Sequence, residues 1–579
     1  MENVEVARLL DETADLMEIA GEDAFRIRSY RNAKAVIEGY PERVLDILKD
    51  PARKVTDISG IGKGIASILA ELAERGSFER RDEMLHKYPP TALELLKIQG
   101  LGPKSIRTIY EQFRVSTIDG LERLCQEGKL RELPRMGEKL EQKVLRSIAQ
   151  YRRSTGRFLL SFADATAKEV TELLRQDGVD SITPAGSLRR GKETAGDVDI
   201  LVAGPRATEA LETFAKWPRI AELLGKGEGK ASGRVGVEGI QVDVRAVPVE
   251  SYGAAMQYFT GSKEHNVALR QRALKMGFTL NEYGLVRVDN GERVAGATEE
   301  EIYNKLGLAF IPPEMRENQG EIEAAAAGEM PKLVELADMR GDVHMHTTAT
   351  DGRATLEEMA AAAKACGYEY IAITDHSKAL AMANGLDEKR VVEFAHQVRE
   401  LNHEELGIRV FSGLECDILR DGRMDIERDA LDELDVVIAS VHSYMNLEPG
   451  EMTERLLAAI EHPSVQIIGH PTGRVLLHRD AYLYDFERIA AAAAKHGVAL
   501  EINASPERLD INAALIRQAK ARGCKFTIST DAHHPKHLAN MRYGVKMARR
   551  GWLEAGDVLN TLSADKFRRG LRAGKYSVG

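Results

Sequence analysis

Beyond Gly341 the chain repeats one unit: a short apolar run, a polar residue near its end, then an Ala-rich helical stretch. The runs are YIAITD (370–375), IRVFSGLE (408–415), LDVVIASVH (434–442), VQIIGHP (465–471), VALEIN (498–503) and KFTIST (525–530). Repeated β/α units of this kind predict a barrel, and barrel chemistry gathers at the C-terminal ends of the strands.

Those ends carry His344, His346, Asp351, His376, Glu415, His442, His470, Asp531 and His533. Of the 15 histidines only His86 and His265 precede residue 340, so the two ends of the chain are expected to do different chemistry. A His-x-His pair at a strand end puts two imidazoles on one face, and later candidates follow different strands into one funnel. Mixed imidazole and carboxylate donors suit Mn2+, Zn2+ or Fe2+. His396, His403, His462, His478, His496, His534 and His537 fall in helical or loop contexts and are expected to be ordinary core or surface residues.

Residues 1–155 read as helices joined by Gly-centred turns, 156–250 as α+β, 251–318 as a small mixed module, and 320–339 as a helical or loose linker. No apolar run reaches the ~18 residues needed to span a bilayer. The acidic, helical N-terminus is no targeting peptide. Four cysteines without a CxxC pair exclude an all-cysteine zinc site and suit a reducing cytoplasm. The net charge of −10 argues weakly against nucleic acid, yet residues 51–160 hold 21 basic and 14 acidic side chains. Within that stretch ISGIGKGIASI (58–68) and IQGLGPKSIRTI (98–109) share one pattern, with a weaker copy in LPRMGEKLEQKV (133–144). In each good copy the first glycine (Gly60, Gly100) permits a tight turn. The second (Gly62, Gly102) lets the backbone approach an anion at the following helix start, with Lys63, Gly64 and Lys104 beside it. This is helix-hairpin-helix chemistry, which grips a nucleic-acid backbone without reading bases.

Gly186-Ser187-Leu188-Arg189-Arg190-Gly191 precedes Asp197-Val198-Asp199, and a further acid sits in Gln241-Val242-Asp243-Val244. Residues i and i+2 of a strand share a face, so Asp197 and Asp199 project together and a neighbouring strand can add Asp243. Three clustered carboxylates call for cations, and all-oxygen donors select Mg2+ or Mn2+. The Gly186-Ser187 turn and Arg190 offer N–H, hydroxyl and guanidinium groups to a triphosphate.

With QYFTGSKEHNVALR (257–270), these motifs resemble the palm and nucleotide pocket of family X DNA polymerases, the polymerase beta group. DAFRIRSYRNAKAVI (23–37) and the hairpins resemble that family's N-terminal domain, so the similarity covers about residues 1–318. The resemblance implies that Asp197, Asp199 and Asp243 bind the catalytic metals, and that Gly186, Ser187 and Arg190 hold the triphosphate. It implies that Tyr258 and Phe259 face the sugar, that Gly261 lies under the nucleotide, and that Asn266 and Arg270 lie near the nascent pair. Two positions depart from polymerase beta. Ile68 stands where a Schiff-base lysine is expected, which excludes lyase chemistry by that residue, although Lys63 or another amine could substitute. Gln241 stands where an arginine is usual, removing a charge near the primer end.

The pattern H-x-H-T, T-D-H, G-x-E, S-V-H, G-H-P, D-A-H resembles the PHP family (polymerase and histidinol phosphatase) over residues 340–575. That family implies a distorted (β/α)7 barrel, about three divalent ions and phosphoesterase activity. The implied ligand sets are His344, His346, Glu415 and Asp531; Glu415, His442 and His470; and Asp351, His376 and His533. The expected fold is thus multidomain α and α/β. It comprises helix-hairpin-helix domains (1–88 and 89–155), an α+β nucleotidyltransferase palm (156–250), a nucleotide-selection subdomain (251–318), a linker (319–339) and a PHP barrel (340–579). The module order resembles the bacterial and archaeal polymerase X group. It implies a monomeric, cytoplasmic gap-filling repair polymerase acting on gapped or primer-template DNA with a 5′-phosphate, using dNTPs, with a 3′-5′ exonuclease or 3′-end phosphoesterase. A template-independent nucleotidyltransferase with an attached phosphatase, and a non-catalytic DNA-end scaffold, remain the alternatives.

Overall fold

The computed structural model describes residues 1–571 apart from 2, 39–42, 49, 51–52, 59, 99, 135, 155, 177, 180, 237, 403–406 and 478, so His403 and His478, expected to be ordinary core or surface residues, lie outside the described residues. The chain forms two compact units, Met1–Thr155 and Gly156–Gly579.

The described residues of the first unit form helices and turns, and one apolar core runs through them from Val6 to Ile148. Gly60 and Gly100 take φ of +96° and +99°, backbone that favours glycine, and so turn the chain into the helices Lys63–Arg75 and Pro103–Phe113. Gly62 and Gly102 cap those helices with ordinary negative φ, and a Cβ on either would meet nothing within 4 Å. The fold therefore does not require glycine at the second position of either turn.

The second unit opens with a five-stranded mixed sheet: β1 (Ser181–Pro184), β2 (Asp197–Ala203), β3 (Ile220–Lys226), β4 (Lys230–Val235) and β5 (Ile240–Val247), in the order β1-β2-β5-β4-β3. The strands expected at Asp197 and Asp243 are β2 and β5, and the hairpin β3–β4 is an addition. Helices Tyr252–Thr260 and Lys263–Lys275 and a three-stranded antiparallel sheet follow. The linker is not loose. Residues Glu321–Ala327 are helical, Glu321 accepts a 2.7 Å hydrogen bond from buried His265, and Val334 N–H donates to Leu553 O on the barrel side.

The barrel strands are β6 (Gly341–Asp342), β7 (Tyr370–Ile373), β8 (Arg409–Asp417), β9 (Val436–Ser440), β10 (Ile467–Ile468), β11 (Ala499–Asn503) and β12 (Phe526–Ser529), all parallel and in sequence order. Thr355, Asp387, Asp485 and Asn512 accept backbone N–H bonds at the starts of the helices between them, which fixes where each helix leaves its loop. Two contacts bring the last strand back to the first. At the entry side the buried Asn560 amide donates to Gly341 O and Ile528 O and accepts from Ile528 N–H. At the exit side Met345 bridges to Ala532 in parallel register. Among the described residues no helix is long and apolar enough to cross a membrane.

Candidate functional site

Two constellations occupy the second unit. In the five-stranded sheet β2 and β5 are parallel neighbours, with Asp197 opposite Gln241 and Asp199 opposite Asp243. All three carboxylates thus share one face. Burial and then the neighbouring Asp197 push Asp199 up to about 6. Burial would also raise Asp243, but hydrogen bonds from Lys230, Ser232 and Gln241 hold it below its ordinary value. Lys230 Nζ lies 2.6 Å from Asp243 Oδ2, and Arg245 Nη2 lies 3.5 Å from the same oxygen. Arg245 Nε, buried without a hydrogen-bond partner, is 3.8 Å from Asp199 Oδ1. Where Gln241 brings no charge, a lysine on β4 and an arginine on β5 sit against the carboxylates, two cations for three acids. An excess of acid held by cations is a donor set that fits divalent ions.

Beside these acids lies a cleft of about 800 Å3 lined by Asp197, Asp199 and all eight residues expected around the nucleotide. Gly186 has φ +62°, and a Cβ there would come within 2.8 Å of Asp199 Oδ2, so both backbone and space demand glycine. Ser187 follows on the one-turn helix Gly186–Arg189. The Arg190 guanidinium donates to Thr260 O and, at 3.1 Å, to Glu317. Tyr258 and Phe259 pack edge to face at 5.1 Å, and Arg245 stacks 4.4 Å over Phe259. Gly261 adjoins Arg190, and Arg270 Nε donates to Asn266 O. The Asn266 amide is already engaged: it donates to Tyr258 O and accepts from Gln257, both at 2.7 Å. Arg157 and Lys263 also line the cleft and were not anticipated.

At the barrel mouth the six strand-end histidines and three acids converge around Glu415, which is 1% exposed. Its Oε1 lies 2.8 Å from His470 Nε2 and 3.3 Å from His442 Nε2. Its Oε2 lies 2.9 Å from His376 Nδ1, 3.4 Å from His344 Nε2 and 3.7 Å from His346 Nε2. Asp531 Oδ1 is 3.2 Å from His346 Nε2, and Asp351 is 3.5 Å from both His376 and His533. Three groupings could each hold an ion: His344, His346 and Asp531; His376, Glu415 and His442; and His346, Asp351, His376 and His533. These overlap the expected sets but are not identical, since His346 and His376 each serve two groupings.

Outer carboxylates, unassigned from the sequence, set the ring orientations. Glu501 accepts from His344 Nδ1 at 2.7 Å, Asp417 from His442 Nδ1 at 3.1 Å, and the Asp531 carbonyl from His533 Nδ1 at 2.9 Å. Each of these bonds puts a proton on Nδ1 and turns Nε2 inward. His344 Nε2 is buried with no hydrogen-bond partner, which fits a bound cation. Asp375 takes a different role: it accepts from Thr347 and Thr350 and so shapes the loop that carries Asp351. Burial and neighbouring His376 push His346 down to about 3. Burial would also depress His376 and His442, but Glu415 with Asp351 raises the first to about 10, and Glu415 with Asp417 the second to about 9.

The other histidines are spread over helices and turns: His396 within Glu388–Leu401, His462 and His496 at helix ends, and His534 and His537 in a 3-10 turn. In the first unit a pocket of about 490 Å3 is lined by Gly60, Gly62, Gly64, Arg26, Arg80 and Ile68, among others, and no lysine is among its lining residues. The hairpin pattern repeats at Gly100, Gly102 and Lys104, whereas in the third copy Gly137 stands before a helix and Arg135 lies outside the described residues.

Comparison with known families gives matches along most of the chain. The sequence matches a helix-hairpin-helix domain at 1–78 and a SAM-like helix-hairpin-helix tandem at 92–150. It matches the DNA polymerase beta palm at 161–225, the DNA polymerase beta thumb at 255–317 and a PHP domain at 342–505. Asp243, Asp531 and His533 lie outside the matched stretches. The chain is 36% identical over 565 residues to the DNA polymerase/3′-5′ exonuclease PolX of Bacillus subtilis (strain 168), covering 97% of this chain and 98% of that protein. It is 29% identical over 250 residues to a probable phosphatase of Thermoanaerobacter sp. (strain X514), covering 41% of this chain and 96% of the relative. A probable phosphatase of Shewanella sp. (strain MR-4) is 34% identical over 204 residues, 33% of this chain and 75% of the relative.

Proposed function

The chain belongs to the family X DNA polymerases with a C-terminal PHP domain, and on that premise we propose a repair enzyme with two activities. It is a DNA polymerase that fills short gaps, and its barrel removes 3′-terminal nucleotides as a 3′-5′ exonuclease or 3′-end phosphoesterase. The observation that carries the first activity is the β2–β5 register, which sets Asp199 against Asp243 beside a cleft bearing Gly186, Ser187 and Arg190.

Divalent ions are required at both sites. We assign Mg2+ or Mn2+ to Asp197, Asp199 and Asp243, and Mn2+, Zn2+ or Fe2+ to Glu415 and the eight residues around it. When bound, such ions neutralise phosphate charge and acidify a hydroxyl or water. The chain's own residues do the rest. Asp199 and Asp243 face the primer end, with Lys230 and Gln241 holding Asp243 deprotonated. Arg190 and the Gly186-Ser187 turn hold the triphosphate, while Tyr258 and Phe259 wall the sugar. Glu501 and Asp417 keep protons on His344 Nδ1 and His442 Nδ1, so that both Nε2 atoms stay available to ions. The turns at Gly62 and Gly102, with Lys63 and Lys104, grip DNA phosphates.

Each constellation is complete within one chain, which supports a monomer, and four unpaired cysteines suit a reducing compartment. The exonuclease reading is favoured over an attached phosphatase by likeness to the Bacillus subtilis protein along nearly the full chain, whereas the phosphatases match only the back end. The test is an assay pair: dNTP incorporation into a one-nucleotide gap, and mononucleotide release from a 3′ end, each with Mg2+ or Mn2+. Equal incorporation on single-stranded and gapped DNA would favour a template-independent transferase, and failure of both reactions would leave a DNA-end scaffold.

A further inference from the structure

The turn that carries Arg190 is fastened to the barrel. Arg550, the last residue of the helix Met541–Arg550, is 7% exposed and donates from one nitrogen, Nη1, to two acceptors: Arg190 O at 2.9 Å and Glu317 Oε1 at 3.0 Å. The same Glu317 oxygen accepts from Arg190 Nε at 3.1 Å, while Lys192 Nζ approaches the other oxygen at 3.5 Å. Thr260 O takes Arg190 Nη1. Two of the three guanidinium nitrogens are thus committed to protein acceptors, and Nη2 remains for the cleft. The packing is as tight as the bonding. A Cβ on Gly191 would meet Lys546 Cβ at 3.3 Å and Arg550 Cδ at 3.7 Å, so the turn sits directly on the barrel helix. A second pair, Arg549 to Glu314 at 2.8 Å, secures the segment just before Glu317 to the same helix.

We propose that Arg550 and Glu317 are positioning residues for nucleotide addition: the barrel helix sets the aim of Arg190 and so part of the affinity for the incoming nucleoside triphosphate. This rests on the reading of Arg190 as a triphosphate ligand. The electrostatics give the effect a direction. With Arg550 present, Glu317 shares its charge among three cations and holds Arg190 only through Nε. Without Arg550, the half-buried carboxylate is balanced by Arg190 and Lys192 alone and draws the guanidinium toward itself, while the Arg190 carbonyl loses its anchor. Both changes take the guanidinium away from a phosphate.

The experiment uses the full chain, one-nucleotide gapped DNA and dNTPs. Arg550→Met keeps the aliphatic stem and its packing and removes the charge. It is expected to raise the KM for dNTP about tenfold, the equivalent of one charge-assisted hydrogen bond. It should leave kcat and the 3′-exonuclease rate near wild type. Arg550→Lys returns a cation to Glu317 and is expected to recover much of the loss, which a merely structural role would not predict. Arg190→Ala alone should raise KM, and adding Arg550→Met to it should change little more. If Arg190→Ala raises KM and Arg550→Met does not, or if the two effects simply multiply, the positioning role is wrong. If Arg190→Ala leaves KM unchanged, the triphosphate reading itself has failed. Should Arg550→Met not fold, Glu317→Asp, whose shorter carboxylate cannot keep both arginine contacts, carries the comparison, and a KM at the wild-type value in it overturns the proposal.

Discussion

Glu501→Gln tests whether the outer carboxylates govern the barrel site. Glu501 is fully buried, and its two oxygens accept from His344 Nδ1 at 2.7 Å and from His470 N–H at 2.6 Å. Glutamine has the same shape but one acceptor oxygen, so one of these two N–H groups must face an amide donor. If the main-chain N–H of His470 loses its acceptor, an unsatisfied buried donor costs about 1–3 kcal/mol. If the imidazole yields instead, its proton moves to Nε2, the atom that faces Glu415 and Asp531, and that atom can no longer bind a cation. Either route weakens metal binding by about 10–100-fold, the usual penalty for losing an outer partner, or about 1.4–2.8 kcal/mol. The assay is the 3′-exonuclease rate against buffered free Mn2+, with gap filling as the internal control. The half-saturating metal concentration should rise while gap filling holds. An unchanged metal dependence in a folded variant would refute the idea that Glu501 sets the His344 tautomer.

Asp243→Ala should abolish gap filling and spare 3′-end hydrolysis; incorporation within about tenfold of wild type would show the third carboxylate misassigned. His344→Ala with His346→Ala should deplete barrel metal and stop mononucleotide release while gap filling continues, and release at the wild-type rate from metal-depleted protein would place the nuclease elsewhere. Lys230→Ala should slow incorporation about tenfold by removing the cation that steadies Asp243, with recovery in Lys230→Arg; an unchanged rate would make Lys230 a bystander. Gly62→Val with Gly102→Val should leave the melting temperature unchanged, because both positions face open space. The same change should weaken binding to gapped DNA of any sequence, and unchanged affinity would make these turns purely structural.

Much of this architecture could be read along the chain because each long apolar run is also a buried strand: YIAITD and LDVVIASVH contain β7 and β9 with no exposed position. The elements missed are those whose side chains do not report their surroundings. In IAELLGK the apolar residues fall at i, i+3 and i+4, a helical spacing, yet β3 is an outer strand with six of its seven residues exposed. Its partner KASGRV is rich in small residues, so Lys230 gave no sign that it would meet Asp243. The two-residue strand β6 is too short to make a pattern and is defined by its pairing with β7. The metal-ligand candidates stood out as histidines in a repeating context, whereas Glu501 and Asp417 are acids inside apolar runs, and their role depends on an imidazole that lies far away in sequence. Arg550 is one basic residue in a basic helix end; only the folded chain shows that it reaches Glu317.

The contact between Met345 and Ala532 joins the beginning and end of the barrel, and each side of it brings two ligand candidates: His344 with His346, and Asp531 with His533. A ribosome that has made the whole palm and thumb has still not made the second half of that pair. The degradative centre is therefore completed last: a chain cut short before Asp531 keeps the grouping of His376, Glu415 and His442 but lacks the residues that complete the other two. The seam acts as a completion check, since the part of the protein able to destroy DNA ends cannot come into being before the part that extends them.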